Sequence, residues 1–199
     1  LALLAVLPGT SISHANTFVY GIATSANIPS EYKIVKNGAV IDPSGLKKYD
    51  VVTLDAANRQ ALVSDTRVSG RYSEGGPTVS YPQEVKVYGN SFRISDSAAA
   101  FFKDMKLKDY ITLLFDADGN VAAAYPRSTV SADMQGIVTA IDEGKATVTL
   151  TNGITLRNMD IDKLDKPTAL MGRLVSVSTN GDKAVLTRRT LSGKTSGEW

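Results

Sequence analysis

QGIVTAIDEGKATVTLTNGITLRN, residues Gln135 to Asn158, opens on a glycine and reads as a strand, a turn, a second strand and, beyond Thr151-Asn152-Gly153, a third. Aliphatic and β-branched residues fall on alternate positions, which places them on one side of a pleated strand. Two other stretches copy this pattern: YGIATSANIPSEYKIVKNGAVI, Tyr20 to Ile41, and SGRYSEGGPTVSYPQEVKVYGNSFRI, Ser69 to Ile94. Gly21, Gly70 and Gly136 open the copies, and Gly38, Gly89 and Gly153 follow them by 17, 19 and 17 residues. The copies share a pattern and hardly any identities, so what repeats is a shape.

Side-chain parity fixes the turns. A two-residue turn at Asn152-Gly153 would set Leu150 against Thr155 and put the apolar residues on opposite sides of the hairpin. A three-residue loop, Thr151-Asn152-Gly153, pairs Leu150 with Ile154 and Val148 with Leu156 on one face. This predicts a type I turn ending in a left-handed Gly153 with a G1 bulge. In the second copy, Val87 facing Phe92 gives even parity, so Gly89-Asn90 is expected as a two-residue turn.

Extending the copies outward divides the chain into blocks. Residues 18–66 hold strands at Tyr20 to Thr24, Tyr32 to Val35, Ala39 to Ile41, Tyr49 to Asp55 and Gln60 to Ser64, with Ala56-Ala57-Asn58-Arg59 as a hairpin loop. Residues 67–130 repeat the order with an insert, Ser95 to Asp109, between the third and fourth strands. Ala98, Phe101, Phe102 and Met105 share a face at helical spacing there, and Ser95 or Asp96 suits the N-cap, so a short helix is expected. Residues 131–191 form the third block. Residues 1–17 read as the last strand of a preceding module plus a linker, Ala5 to Ser11 aligning with Ala124 to Val130, and 192–199 as a linker toward a following one.

Each block therefore reads as five short strands with a turn or helix between the third and fourth. At 50 to 60 residues it is the size of a closed five-stranded barrel, and closure removes the open edges that a lone meander would expose. The expected fold is all-β: tandem small five-stranded barrels, OB-like, or alternatively SH3-like. Gly119 and Gly181 join the glycines above as expected turn positions.

Composition narrows the function classes. The chain has 199 residues, 22 basic and 20 acidic, a formal charge of +2, and no cysteine, so disulfides and thiolate chemistry are excluded. At 43% hydrophobic and 21% charged it has the apolar content to form cores. No stretch supplies the ~18 apolar residues of a spanning helix. LALLAVLPGTSISHA resembles the apolar and cleavage parts of a secretory signal but carries no basic n-region.

Chemical motifs are sparse. Asp116-Ala117-Asp118-Gly119-Asn120 resembles the start of a calcium loop, but an EF-hand needs glycine at its sixth position and glutamate at its twelfth, where Arg127 stands; it reads as a hairpin turn. His14, the single histidine, has no acidic or serine partner at a recognisable spacing, so no triad is expected. Arg173, Lys183, Arg188 and Arg189 read as a solvated basic face, since the third block has no aromatic before Trp199 to stack on a base. Tyr72, Tyr81 and Tyr88 are the candidate ligand-binding residues, able to stack on a sugar or a neighbouring chain. No catalytic residue, cofactor or metal site is expected.

The stretches LKKYDVVTLDAANRQALVSDTRVSGRY, Leu46 to Tyr72, and LKDYITLLFDADGNVAAAYP, Leu107 to Pro126, resemble the repeated β-modules of S-layer homology domain proteins of Gram-positive, clostridia-type bacteria. The anchoring motifs of that family are not among these residues, so the resemblance implies a setting only: a secreted, cell-surface chain. The expected role is a non-catalytic structural spacer whose partners are neighbouring modules of the same longer chain. The alternative is an adhesion module binding cell-wall or surface glycans or a protein through the aromatics of the second block. Nucleic acid and membrane insertion are not expected.

Overall fold

The computed structural model describes residues 16–22, 26–163 and 167–189. His14, Trp199, the expected preceding strand and the expected C-terminal linker lie outside the described residues. The chain is predominantly β, with sixteen strands in four small sheets among the described residues. Each sheet draws its strands from one of the three blocks.

The third block shows the pattern most simply. Its strands are β12 (Gln135–Asp142), β13 (Lys145–Leu150), β14 (Thr155–Asp160), β15 (Leu174–Asn180) and β16 (Lys183–Arg188), in the sheet order β14-β13-β12-β15-β16. The strand ladders leave that sheet open. Its two edges meet at one parallel bridge, Ile161 with Ala184, where Asp162 N–H donates to the Ala184 carbonyl at 2.9 Å. The β13–β14 hairpin closes through Thr151-Asn152-Gly153: Gly153 N–H donates to Leu150 O at 2.9 Å, Leu150 N–H to Ile154 O at 2.7 Å, and Gly153 has φ 91°. Val148 faces Leu156, so the apolar side chains share the inner face as parity requires.

In the second block the strands are β6 (Arg67–Arg71), β7 (Glu74–Gly76), β8 (Glu84–Val87), β9 (Asn90–Arg93), β10 (Tyr110–Phe115) and β11 (Val121–Pro126). They form two three-stranded sheets, β11-β10-β6 and β7-β8-β9. β6 and β7 follow each other closely, with Ser73 N–H donating to Lys86 O at 3.0 Å between them, so Arg67 to Gly76 acts as one bent strand shared by both sheets. A parallel bridge from Ile94 to Val121 joins the far edges, matching the third block.

The two-residue turn is Tyr88-Gly89, with φ 52° and 74°, rather than Gly89-Asn90; Val87 faces Asn90 and Val85 faces Phe92. Asn90 belongs to the strand because its amide donates to Tyr88 O at 2.9 Å and to Arg157 O at 3.1 Å. The insert forms a 3-10 helix at Asp96–Phe102. Ser95 has an extended backbone and makes no side-chain cap; its hydroxyl donates instead to Val121 O at 3.1 Å. Ala98, Phe102 and Met105 are buried, but Phe101 is 37% exposed, its ring lying against Tyr125.

The first block departs from the others. β1 (Thr17–Val19), β2 (Lys33–Lys36), β3 (Ala39–Ile41), β4 (Val51–Asp55) and β5 (Gln60–Ser64) form one sheet in the order β1-β4-β5-β2-β3, with β2 parallel to β5. The expected first strand from Tyr20 to Thr24 is instead Thr17–Val19, and 23–25 lie outside the described residues. Gly21, with φ 72°, sits in the turn after β1, whereas Gly70 and Gly136 lie within strands opposite Ile111 and Val175. The opening glycines are thus equivalent in the second and third blocks and not in the first.

One apolar core runs through the second and third blocks, from Val68, Val85 and Leu113 to Val148, Leu156 and Val175. Val52, Ala61 and Val63 make a separate core in the first block, and Val19, Val51, Leu114, Ala123 and Val130 seal the joint between first and second. Each fully buried side chain of Val or Leu size removes about 1.5–3 kcal/mol of exposure cost, so these faces hold the blocks together.

Candidate functional site

The three candidate tyrosines lie between strands and are dispersed: Tyr72 joins β6 to β7, Tyr81 is in the connection before β8, and Tyr88 is in the turn after β8. Tyr72 is fully buried, its hydroxyl donates to Val79 O at 2.8 Å, and its ring meets Phe102 edge-on at 5.6 Å. Burial pushes its pKa up to about 12. Tyr88 is 8% exposed, packs over Gly70 and hydrogen-bonds Thr179 of β15; burial raises its pKa too. Only Tyr81, 51% exposed, offers a free ring. The trio forms no common groove, because two of its rings are structural.

A different aromatic group lines a surface cleft of about 510 Å³ in the same block. The end of the 3-10 helix supplies Phe101, the connection after it Asp104, Met105 and Asp109, the start of β10 Tyr110, and the end of β11 Tyr125. Phe101 and Tyr125 stand edge to face, 5.5 Å apart at 63°, forming two walls of a corner. Behind them Tyr125 meets Tyr49 of the first block at 5.2 Å. Burial, followed by the neighbouring Tyr49, raises the Tyr125 pKa, and its buried hydroxyl has no hydrogen-bond partner among the described residues. Asp109 is held in place by Lys106 N–H at 2.8 Å. Sequence periodicity misses this cleft because it assigns Phe101 to the inner face of a helix, and strand ends carry no periodic signal.

A second cleft, also about 510 Å³, opens where the three blocks meet, between Asn37 and Leu62, Phe92 and Asp116, and Asn152 and Ile154. Its rim is tied up internally. Asn37 donates to Asp65 at 3.0 Å, Asn152 to Arg67 O at 2.9 Å, and Asp116 Oδ1 accepts from Asp118 and Asn120 N–H at 3.0 and 2.9 Å. Asp116 thereby shapes the turn ending in Gly119, which has φ 82°. Among the described residues no cluster of three or more His, Cys, Asp or Glu is placed to hold a metal ion.

The strongest charge contact is in the first block. Lys36 Nζ lies 2.7 Å from Asp50 Oδ2 and 3.4 Å from Asp65 Oδ2, with side-chain exposures of 11% for Lys36 and 1% for Asp50. Asp50 Oδ2 also accepts Lys47 N–H at 2.9 Å, which marks it as a turn-forming carboxylate neutralised by Lys36. Burial works to raise the Asp65 pKa, but hydrogen bonds from Asn37 and the charge of Lys36 outweigh it and the net shift is downward. Arg173, Lys183, Arg188 and Arg189 are all exposed, at the β15–β16 edge. No protein-family model matches the chain, and no curated protein matches it either.

Proposed function

We propose that this chain is a non-catalytic spacer segment of a secreted bacterial cell-surface protein of the S-layer type, built from small β-barrels locked to one another in a row. The joint between the second and third blocks carries this reading. Asn90 and Arg157 exchange hydrogen bonds at 3.1 and 2.8 Å, Ser69 accepts Ala132 N–H at 3.1 Å, and Arg71 pairs with Asp182 at 2.9 Å. All of these surround an apolar core continuous across the boundary. A joint with both apolar burial and directional bonds has one preferred angle, which is what a spacer needs and a flexible tether lacks.

The barrel reading draws support from connectivity. In both later blocks the first strand pairs with the second and fourth, and the residue after the third touches the fifth in parallel. That is the strand routing of an OB-like barrel, with its helix between strands three and four. Because the chain has no cysteine of its own, spin labels on introduced cysteines at Lys103 and Glu143 report the joint directly. A narrow distance distribution is expected; a broad one means the joint hinges, and the spacer reading falls. Fractionation of the source cells tests the setting: recovery of the protein from the cytoplasm instead of the envelope overturns it.

A further inference from the structure

We propose that the aromatic cleft of the second block binds an alkylammonium group, of the kind a partner polypeptide presents on a lysine side chain. Phe101 and Tyr110 are each 37% exposed in a protein that buries most of its other large apolar side chains. With Tyr125 they line one concave space, in which the Phe101 and Tyr125 rings meet at 63°. Aromatic faces carry negative electrostatic potential, so a corner of such faces favours a cation over a neutral group of the same shape.

The charged groups point the same way. Among the described residues, Asp104 and Asp109 are the only ionisable side chains besides the tyrosines lining the cleft, and both are acidic. Lys103, Lys106 and Lys108 are exposed on the same segment, yet none of them lines it. The Tyr110 ring already holds one cation: the Arg71 guanidinium lies 5.5 Å from its centroid. Arg71 is itself committed elsewhere, to Asp182 at 2.9 Å and to Lys108 O at 3.0 Å, so it does not neutralise the carboxylates of the cleft. An anion would meet two carboxylates and no cationic side chain among the described lining residues, where the donors are the neutral tyrosine hydroxyls. A neutral apolar chain would gain burial but leave both carboxylates desolvated without compensation. A butylammonium stem lies along Met105 and the rings, as lysine stems do on apolar surfaces, and puts its charge at the acidic rim.

Amide NMR of the whole chain, titrated with n-butylammonium chloride, tests this, with n-butanol and butyrate as isosteric probes. Butylammonium is expected to give saturable shifts across residues 101 to 126, weakened by added salt, while butanol and butyrate give none at equal concentration. Asp104→Asn should weaken binding on the order of threefold to tenfold, and Phe101→Ala by a similar factor. If Phe101→Ala disturbs the fold, the isosteric Asp104→Asn still decides, because its amide spectrum away from the cleft must match the parent. Equal binding of butanol, preference for butyrate, or no saturable shift with butylammonium each overturns the proposal. A Lys-containing pentapeptide that binds no better than its norleucine counterpart overturns the assignment to a polypeptide lysine.

Discussion

The second and third blocks route their strands alike, while the first carries the same glycine spacing and routes them differently. In the third block β12 is eight residues long and pairs with β13 along its length and β15 at its start. The second block achieves the same with the bent run from Arg67 to Gly76. β1 has three residues, about 10 Å of strand, and reaches only β4. Without a first strand long enough to serve two partners, β2 docks parallel to β5 instead. The unit that repeats is therefore a long opening strand crossed closely at one glycine, and the 17-residue spacing from Gly21 to Gly38 mimics it without that strand.

The sharpest test of that contrast is electrostatic. The first block holds a buried ion pair, whereas the second and third meet over apolar side chains and the Ala132 N–H to Ser69 hydroxyl bond at 3.1 Å. Asp50→Ala leaves the Lys36 ammonium, 11% exposed, with only the more exposed Asp65 at 3.4 Å; breaking a buried pair from one side costs about 3–5 kcal/mol, and Asp65 sets this case toward the lower figure. The joint substitution Lys36→Met with Asp50→Leu should recover much of that loss. Urea titration measures both. Equal losses for single and double variants would show that Asp50 matters only for its turn bond to Lys47.

Next come the glycines. A Cβ on Gly136 would sit 2.5 Å from Thr149 O and 2.9 Å from Leu150 Cα, both backbone atoms with no room to move. One on Gly70 would strike side chains, Val87 and Tyr88, which rotate more cheaply. Gly21 needs its positive φ of 72° and meets only Lys48, its nearest atom 3.2 Å away. Substitution by alanine is expected to cost about 3 kcal/mol or slightly more at Gly136 and about 2 at Gly70 from overpacking. At Gly21 the cost is about 1–2, from the backbone alone. If Gly21→Ala costs as much as Gly136→Ala, the first block is a true copy and the distinction drawn above fails.

Asn90 probes the joint rather than a block. Removing its amide in Asn90→Ala breaks the exchange with Arg157 and the bond to Tyr88 O, at about 1–2 kcal/mol for partly exposed bonds. The spin-label distribution between Lys103 and Glu143 should broaden in that variant. An unchanged distribution would assign the fixed angle to the apolar core alone.

How much of this was legible in the sequence depends on the range of each interaction. The Leu150 to Ile154 loop was, because parity within one hairpin leaves a single solution. Gly70 and Gly136 stood out as glycines, but not for the reason they are needed: the close approach comes from Val87 and Val148, on strands that pairing delivers. The routing of β2 beside β5 was hidden, since parallel pairing leaves no local signature in either strand. The aromatic cleft was hidden for a similar reason. Phe101, Tyr110 and Tyr125 are separated in sequence; β10–β11 pairing brings the tyrosines near each other and the 3-10 helix after Ser95 adds Phe101. Tyr72 and Tyr88 read as a cluster because their spacing is short, yet both are buried by contacts far along the chain, Tyr72 against Phe102 and Tyr88 against Thr179.

The smallest expected effect concerns acid. Asp65 in the first block and Asp162 in the third each accept from an asparagine amide, Asn37 at 3.0 Å and Asn180 at 2.9 Å, and the pKa of each is lowered. For Asp65 burial opposes the shift, but the Asn37 bond and Lys36 outweigh it, so the folded chain binds its proton less readily than the unfolded one. The stability this supplies is present above the ordinary carboxylate value of 3.8 and is lost as the pH falls through the depressed folded value. With its side chain 43% exposed, solvent screening keeps the contribution below about 1 kcal/mol. Asp65→Asn should therefore cost a few tenths of a kcal/mol to about 1 at neutral pH, less in high salt, and the gap to the parent should close in strong acid. A gap that widens with acid would mean that Lys36 draws its compensation from Asp50 alone, and that the first block's charged core is a pair rather than a triad.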